Sequence, residues 1–168
     1  MDAELPSKVE SHVAQAFSPA QQIAAIIPNW NGAARLGATL DSLTKQTHPI
    51  THVIVVDNGS ADNSTQIAES SGARVVRLDR NYGFARAVNR GIDSTDEPYV
   101  LILNNDVVLA PDYVQRLLSA AVGNSWFAVG KIVNAAGDLL DGSFDLLSRG
   151  GSAWRAGSGR TIARAWDI

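Results

Sequence analysis

Three short polar clusters in this 168-residue chain each follow directly on an apolar run. They are Pro28-Asn29-Trp30-Asn31, Asp57-Asn58-Gly59-Ser60 and Asn104-Asn105-Asp106. If the apolar runs are parallel strands, all three clusters open on the same edge of one sheet, beyond the carboxyl ends, where open α/β sheets bind their ligands. A fourth cluster, Asn81-Tyr82-Gly83-Phe84 with Arg86 and Asn89, stands where a helix begins, and the free backbone N–H groups of such a terminus can receive an anion. Taken singly, each has a plainer reading. Asp-Asn-Gly-Ser is good turn and cap chemistry, Asn-Asn-Asp suits a solvated loop, Asn81 suits a helix cap, and a lone Trp30 suits packing.

The elements that must position these clusters are legible as alternating strands and helices. Residues 23–27 form an apolar β run ended by Pro28, and Leu36, Leu40 and Leu43 then mark one helix face. Residues 53–56, Val-Ile-Val-Val, are apolar on both faces, as a central parallel strand between two helix layers must be. Ser60 is placed to cap the next helix, with Asp62 in its first turn and Gly72 closing it. A third strand is predicted over about 73–78. A helix over 82–92 follows, burying Phe84, Val88 and Ile92, and then a fourth strand over 99–103. Pro111 opens a further helix with Val114, Leu117, Leu118 and Ala121 inward, and another strand is expected near 126–130. Beyond Lys131 glycines punctuate short runs, the pattern of a hairpin or lid.

Composition bounds the answer. With 45% hydrophobic and 18% charged residues, the chain has the apolar mass for one ordinary core, which excludes disorder and fibrous repeats. Fourteen basic against 17 acidic residues, with no basic block, argue against a nucleic-acid partner. Zero cysteines exclude disulfides, thiolate catalysis and Cys-based zinc, and three scattered histidines leave little for a His-rich metal site. No apolar run approaches the roughly 20 residues of a transmembrane helix. Residues 1–20 lack the pattern of a signal peptide and read as an N-terminal extension.

Jointly and in this order, Ala25-Ile26-Ile27-Pro28-Asn29-Trp30-Asn31, Val55-Val56-Asp57-Asn58-Gly59-Ser60-Ala61-Asp62, Asn81 through Gly91, and Leu103-Asn104-Asn105-Asp106 resemble family 2 glycosyltransferases, most closely the rhamnosyltransferase-like branch. The resemblance covers about residues 22–134. It implies an α/β, GT-A-type Rossmann-like fold with a mostly parallel sheet flanked by helices, and inverting transfer from a nucleotide-diphosphate sugar to a saccharide or lipid-linked acceptor. Residues 21–134 would be the donor-binding domain and 135–168 an incomplete acceptor-side or lid segment. Pro28, Asn29, Trp30 and Asn31 would border the nucleoside, Asp57 would read base and ribose, and Asn58 stands where many relatives carry a second Asp. Asn81, Gly83 and Arg86 would lie near the diphosphate. Asn104, Asn105 and Asp106 occupy the place of the family's D-x-D element, with Asp106 the direct ligand of a Mg²⁺ or Mn²⁺ ion and Asn104 a neutral departure from the pattern. The implied setting is cell-surface polysaccharide or glycolipid synthesis in the cytoplasm, peripheral to the membrane face.

The resemblance also implies a general base in a second half of the family's catalytic domain, and none is assigned here. Asp138, Asp141 and Asp145 are acidic candidates that read as surface residues. The expectation is therefore either a truncated enzyme or a nucleotide-sugar-binding module lacking the base. A dinucleotide-binding Rossmann domain is disfavoured because no G-x-G-x-x-G follows the first strand. A phosphotransfer receiver built on Asp57 would give the Asn81–Gly91 segment no role.

Overall fold

The computed structural model describes residues 21–121, 125, 127–142, 145–147, 153–155 and 158–162. The expected N-terminal extension lies outside them. The chain divides into two compact units, residues 1–37 with 50–106, and residues 38–49 with 107–168.

The first unit is built on a four-stranded parallel sheet in the order β3-β2-β1-β4, formed by β1 (Ile23–Asn29), β2 (His52–Asp57), β3 (Arg74–Arg77) and β4 (Tyr99–Ile102). Strand β1 runs through Pro28 to Asn29 instead of stopping at the proline. The physical reason is the pairing: Ile26 O accepts from Leu103 N on the β4 side, β4 ends at Ile102, and the N–H that Pro28 lacks would point beyond that end. Ala24, Ile26, Ile54 and Val56 face one side of the sheet, where they cluster with Ala87 of α3 (Phe84–Ile92). Ala25, Ile27 and Val55 face the other side and are fully buried too, so the two central strands are covered on both faces.

Helix α3 approaches closely because Gly91 has no side chain; a Cβ there would stand 2.3 Å from Ile26 Cγ2. This corrects the predicted buried face. Ala87, Val88 and Gly91 are inward, whereas Phe84 and Ile92 are 56% and 40% exposed. Helix α2 (Ser64–Ser70) starts four residues after Ser60, so Ser60 does not cap it. Asn63 stands at the cap with no side-chain cap bond, the Asp62 carboxylate just before it accepts Ser64 N at 3.1 Å, and Gly72 follows the helix at φ +78°. Strand β4 lies at the sheet edge with Tyr99, Val100 and Ile102 exposed.

Helix α1 (Ala33–Thr44) begins in the first unit and ends in the second. It buries Leu36, Leu40 and Leu43, as the spacing predicts. In the second unit, α4 (Tyr113–Ala120) begins two residues after Pro111 and buries Val114, with Leu117 and Leu118 only half-buried. Its free N-terminal donor, Val114 N, is satisfied by Gln46 Oε1 at 3.1 Å while Gln46 Nε2 bonds Ala110 O. Residues 127–130 form no strand, contrary to expectation, and Trp126 is outside the described residues. A glycine close to the Tyr113 ring stands there instead: a Cβ on Gly130 would lie 2.3 Å from that ring. Beyond Lys131, β5 (Ile132–Val133) pairs antiparallel with β6 (Leu140–Gly142), and β7 (Asp145–Leu147) with β8 (Ala153–Arg155).

Candidate functional site

At the carboxyl ends of the parallel strands lies a cleft of about 340 Å³ lined by Pro28, Asn29, Trp30, Asn58, Asn81, Gly83, Phe84, Asn104, Asn105 and Asp106. Nine of the twelve sequence-predicted site residues are in that lining; Asn31, Asp57 and Arg86 are not. A larger cavity of about 490 Å³ opens at the opposite edge, among the strand starts at Gln22, His52 and Arg74 and the loop Ser94 to Glu97. Fold geometry favours the first, because the strand-following loops and the helix N-terminus of α3 converge only there.

The cleft floor is a connected network of amides, hydroxyls and one carboxylate. Asn29 is 1% exposed; its Nδ2 donates to Ser64 Oγ at 2.8 Å, to Ser60 Oγ at 3.3 Å and, at the long limit of 3.5 Å, to Asp57 Oδ1. Its Oδ1 accepts from Asn105 Nδ2 at 2.8 Å, which ties the end of β1 to the loop after β4. Asp57 is buried beneath the cleft and also accepts Ser60 N at 3.3 Å. Asn58, 4% exposed, donates to Asn81 Oδ1 at 2.9 Å and to Gly83 O at 3.2 Å and accepts from Tyr82 N at 2.9 Å. This joins the second cluster to the start of α3, where Asn81 Oδ1 also accepts Gly83 N.

Asn31 adopts φ 50°, a left-handed conformation Asn tolerates. Its N–H donates to Ser60 Oγ at 2.9 Å and its Oδ1 accepts Ala61 N at 2.8 Å, so Ser60 is occupied by the β1 loop and not by α2. Asp62 supports the same loop by accepting Ala33 N at 2.9 Å. The Ser64 hydroxyl and then the Ala33 N–H hold the Asp62 carboxyl below the usual carboxylate range.

Three features of the rim were not legible in sequence. Phe84, read as a core residue, stands exposed in the cleft lining, and its place directly after Gly83 at the helix start was the available signal. Arg86 lies over the Tyr82 ring at 4.0 Å from its centroid, as Arg80 does at 4.8 Å, and is not part of the lining. Tyr82 in turn hydrogen-bonds Asp79, lowering its pKa. Arg35, in the first turn of α1, reaches Asp106 Oδ2 at 3.4 Å.

Asp106 is the acidic member of the lining, exposed and open to solvent, and the described residues contain no cluster of three acidic or histidine side chains able to hold a metal by themselves. One carboxylate beside amide oxygens is a hard-oxygen set that fits a divalent cation whose other ligands come from a diphosphate. In the second unit, Asp138 is exposed and bound to Asn134 at 2.8 Å, Asp141 is exposed, and the side chain of Asp145 lies outside the described residues.

Known proteins match this arrangement. Validoxylamine A glucosyltransferase of Streptomyces hygroscopicus subsp. jinggangensis is 33% identical over 108 residues, 60% of this chain and 26% of the relative. The undecaprenyl-phosphate 4-deoxy-4-formamido-L-arabinose transferase of Serratia proteamaculans is 32% identical over 112 residues, 61% of this chain and 34% of the relative. The chain thus spans about a quarter to a third of the length of these relatives. Among solved structures, glucosyl-3-phosphoglycerate synthase from Mycobacterium tuberculosis, in complex with Mn²⁺, UDP and glucosyl-3-phosphoglycerate, superposes with a TM-score of 0.52 at 26% identity, covering 58% of this chain and 38% of that one. The glycosyl transferase family 2 model matches residues 24–154, which takes in every residue of the cleft and most of the chain, and the chain belongs to that family.

Proposed function

We propose that this chain supplies the donor-binding part of an inverting glycosyltransferase of the rhamnosyltransferase-like branch, taking a nucleotide-diphosphate sugar together with Mg²⁺ or Mn²⁺. The observation that carries the proposal is the convergence of four separate segments, around residues 29, 58, 81 and 105, on one polar cleft at the carboxyl ends of parallel strands. In this reading residues 21–134 hold the donor and residues 135–168 lie on the acceptor side. The mycobacterial synthase with UDP and Mn²⁺ supports the donor and metal assignments. The Serratia relative, named for undecaprenyl phosphate, supports a lipid-linked acceptor met at the cytoplasmic membrane face. No helix among the described residues is long and apolar enough to cross a membrane.

Trp30 and Phe84, both more than half exposed, offer aromatic faces at the cleft rim for the base or sugar. Asp57, buried beneath the cleft, would supply a charged acceptor to nucleoside hydroxyl or N–H groups that reach the cleft floor. Gly83 lets the backbone at the start of α3 come close to the diphosphate, and Arg86 serves it on leaving the Tyr82 ring. Asp106, with Asn104 and Asn105 beside it, would hold the cation. When bound there, a hard cation would supply charge neutralisation for the diphosphate leaving group. The chain's own residues bind and orient the donor and keep its leaving group in place.

Calorimetry of UDP, GDP and dTDP, each with Mn²⁺ and with EDTA, tests the reading. We expect one base to bind preferentially, binding to strengthen with the ion, and Asp106→Ala to remove most of that gain. No nucleotide binding in either condition refutes the donor site, and equal affinity in both refutes the metal role.

A further inference from the structure

Arg35 is the third residue of α1, and the first turn of that helix carries no acidic residue. The amino end of a helix is its positive end, so a cation there is disfavoured unless an anion compensates. Two carboxylates from outside the helix stand there: Asp62 accepts Ala33 N at 2.9 Å at the helix end itself, and Asp106 Oδ2 lies 3.4 Å from Arg35 Nη1, 71 residues away in sequence. The Asp106 carboxylate lines the cleft, while Arg35 does not. The pair is wet, with the two side chains 73% and 41% exposed, so it is loose and readily exchanged.

We propose that Arg35 holds the Asp106 carboxylate in place of the divalent cation, so that metal and guanidinium compete for it and the metal binds well only when it arrives with the donor's diphosphate. The inference rests on the metal role of Asp106 proposed above. Its physical basis is charge counting. A dication taking Asp106 must displace Arg35 and then sit beside a freed positive charge, with a single carboxylate in the cleft lining to offset both, since Asp62 is already engaged by the first N–H of α1. The negative charges of the diphosphate supply the remainder. Arg35 is thereby a positioning residue that couples metal binding to nucleotide binding, and it holds the ligand side chain toward the cleft when no metal is bound.

The experiment measures Mn²⁺ binding to the full 168-residue chain by electron paramagnetic resonance, alone and with saturating UDP, for the unaltered protein, Arg35→Gln, Arg35→Lys and Asp106→Asn. An exposed ion pair of ordinary strength corresponds to a change of about 1.5- to 5-fold in affinity. Arg35→Gln should therefore bind Mn²⁺ alone about 1.5- to 5-fold more tightly, and the enhancement that UDP gives should shrink by the same factor. Arg35→Lys, which keeps the charge, should stay close to the unaltered protein, and Asp106→Asn should lose the response. Unchanged or weaker Mn²⁺ binding by Arg35→Gln, with melting intact, overturns the competition while leaving the metal role standing. Mn²⁺ binding by the unaltered protein that survives Asp106→Asn overturns the metal role itself, and the competition with it.

Discussion

Gly32→Ala adds one methyl group at the point where β1 hands over to α1, and the structure gives its consequence. A Cβ on Gly32 would stand 2.2 Å from Asn29 Oδ1 and 2.3 Å from Asn105 Nδ2, the two ends of the 2.8 Å hydrogen bond that ties β1 to the loop after β4. Both contacts fall about 1 Å inside normal separation, so something must shift. Asn29 cannot turn aside cheaply, because it is buried and donates to Ser64 and Ser60. Asn105 is half-buried and gives way first, leaving Asn29 Oδ1 without its partner. Overpacking and the lost bond together amount to about 2 to 4 kcal/mol, or roughly 5 to 15 °C in melting temperature for a chain of this size. Gly37→Ala, inside α1, is the control. Its Cβ would meet only Ile67 Cγ2 at 3.9 Å, an ordinary contact, so alanine there should stabilise by about 0.5 to 1 kcal/mol. Thermal unfolding of both variants, with Asn105→Ala for the bond alone, and nucleotide titration of those that fold, make the assay. Gly32→Ala should melt lower than Asn105→Ala and bind nucleotide more weakly than the parent. If Gly32→Ala melts within a degree of the parent and binds normally, the network does not organise the cleft.

Three further outcomes are expected. Gly91→Ala brings a Cβ to 2.3 Å from Ile26 Cγ2 and 3.1 Å from Val56 Cγ2, so its urea midpoint should fall by the equivalent of about 1 to 3 kcal/mol despite alanine's better helix propensity. Asp57→Asn keeps the shape but removes the charge, so nucleotide affinity should drop about tenfold or more with folding retained; loss of folding with normal affinity in the folded fraction would make Asp57 a purely structural residue. Asp62 is held below its ordinary value of 3.8, chiefly by the Ser64 hydroxyl, so it adds stability above that pH and loses it as pH falls through its lowered value. Asp62→Asn should flatten the acid limb of the stability curve below about pH 4, which a pH series of melts would reveal.

The central place of the 53–56 strand and the sheet edge on which the polar clusters open were legible because the apolar runs at 23–27 and 53–56 end abruptly in polar residues, and a strand apolar on both faces has no other place than the sheet interior. The buried face of α3 was not legible, since hydrophobic periodicity weighs Phe84 and Ile92 above Ala87 and Gly91. The close approach that selects small residues is a property of the packed pair, α3 on Ile26 and Val56, and neither partner shows it alone. Ser60 failed as a cap for a similar reason. Its hydroxyl is claimed by Asn31 and Asn29, 29 and 31 residues away, which no local pattern around Ser60 displays.

The asparagines carry the same lesson into the chemistry of the site. The family resemblance implies that Asn29, Asn58 and Asn105 lie at the donor, and in the structure their amides brace one another, neighbouring side chains and backbone. Asn58 shows what an amide does at that position in this chain. It donates to two carbonyl oxygens, Asn81 Oδ1 and Gly83 O, and accepts from Tyr82 N, and a carboxylate with no donor would set its charge against both oxygens. Asn29 likewise must donate toward Ser64 and accept from Asn105 at once. With these amides engaged in bracing, the donor site proposed above leans on the charged groups at the cleft and beneath it, Asp106 on the rim and Asp57 below.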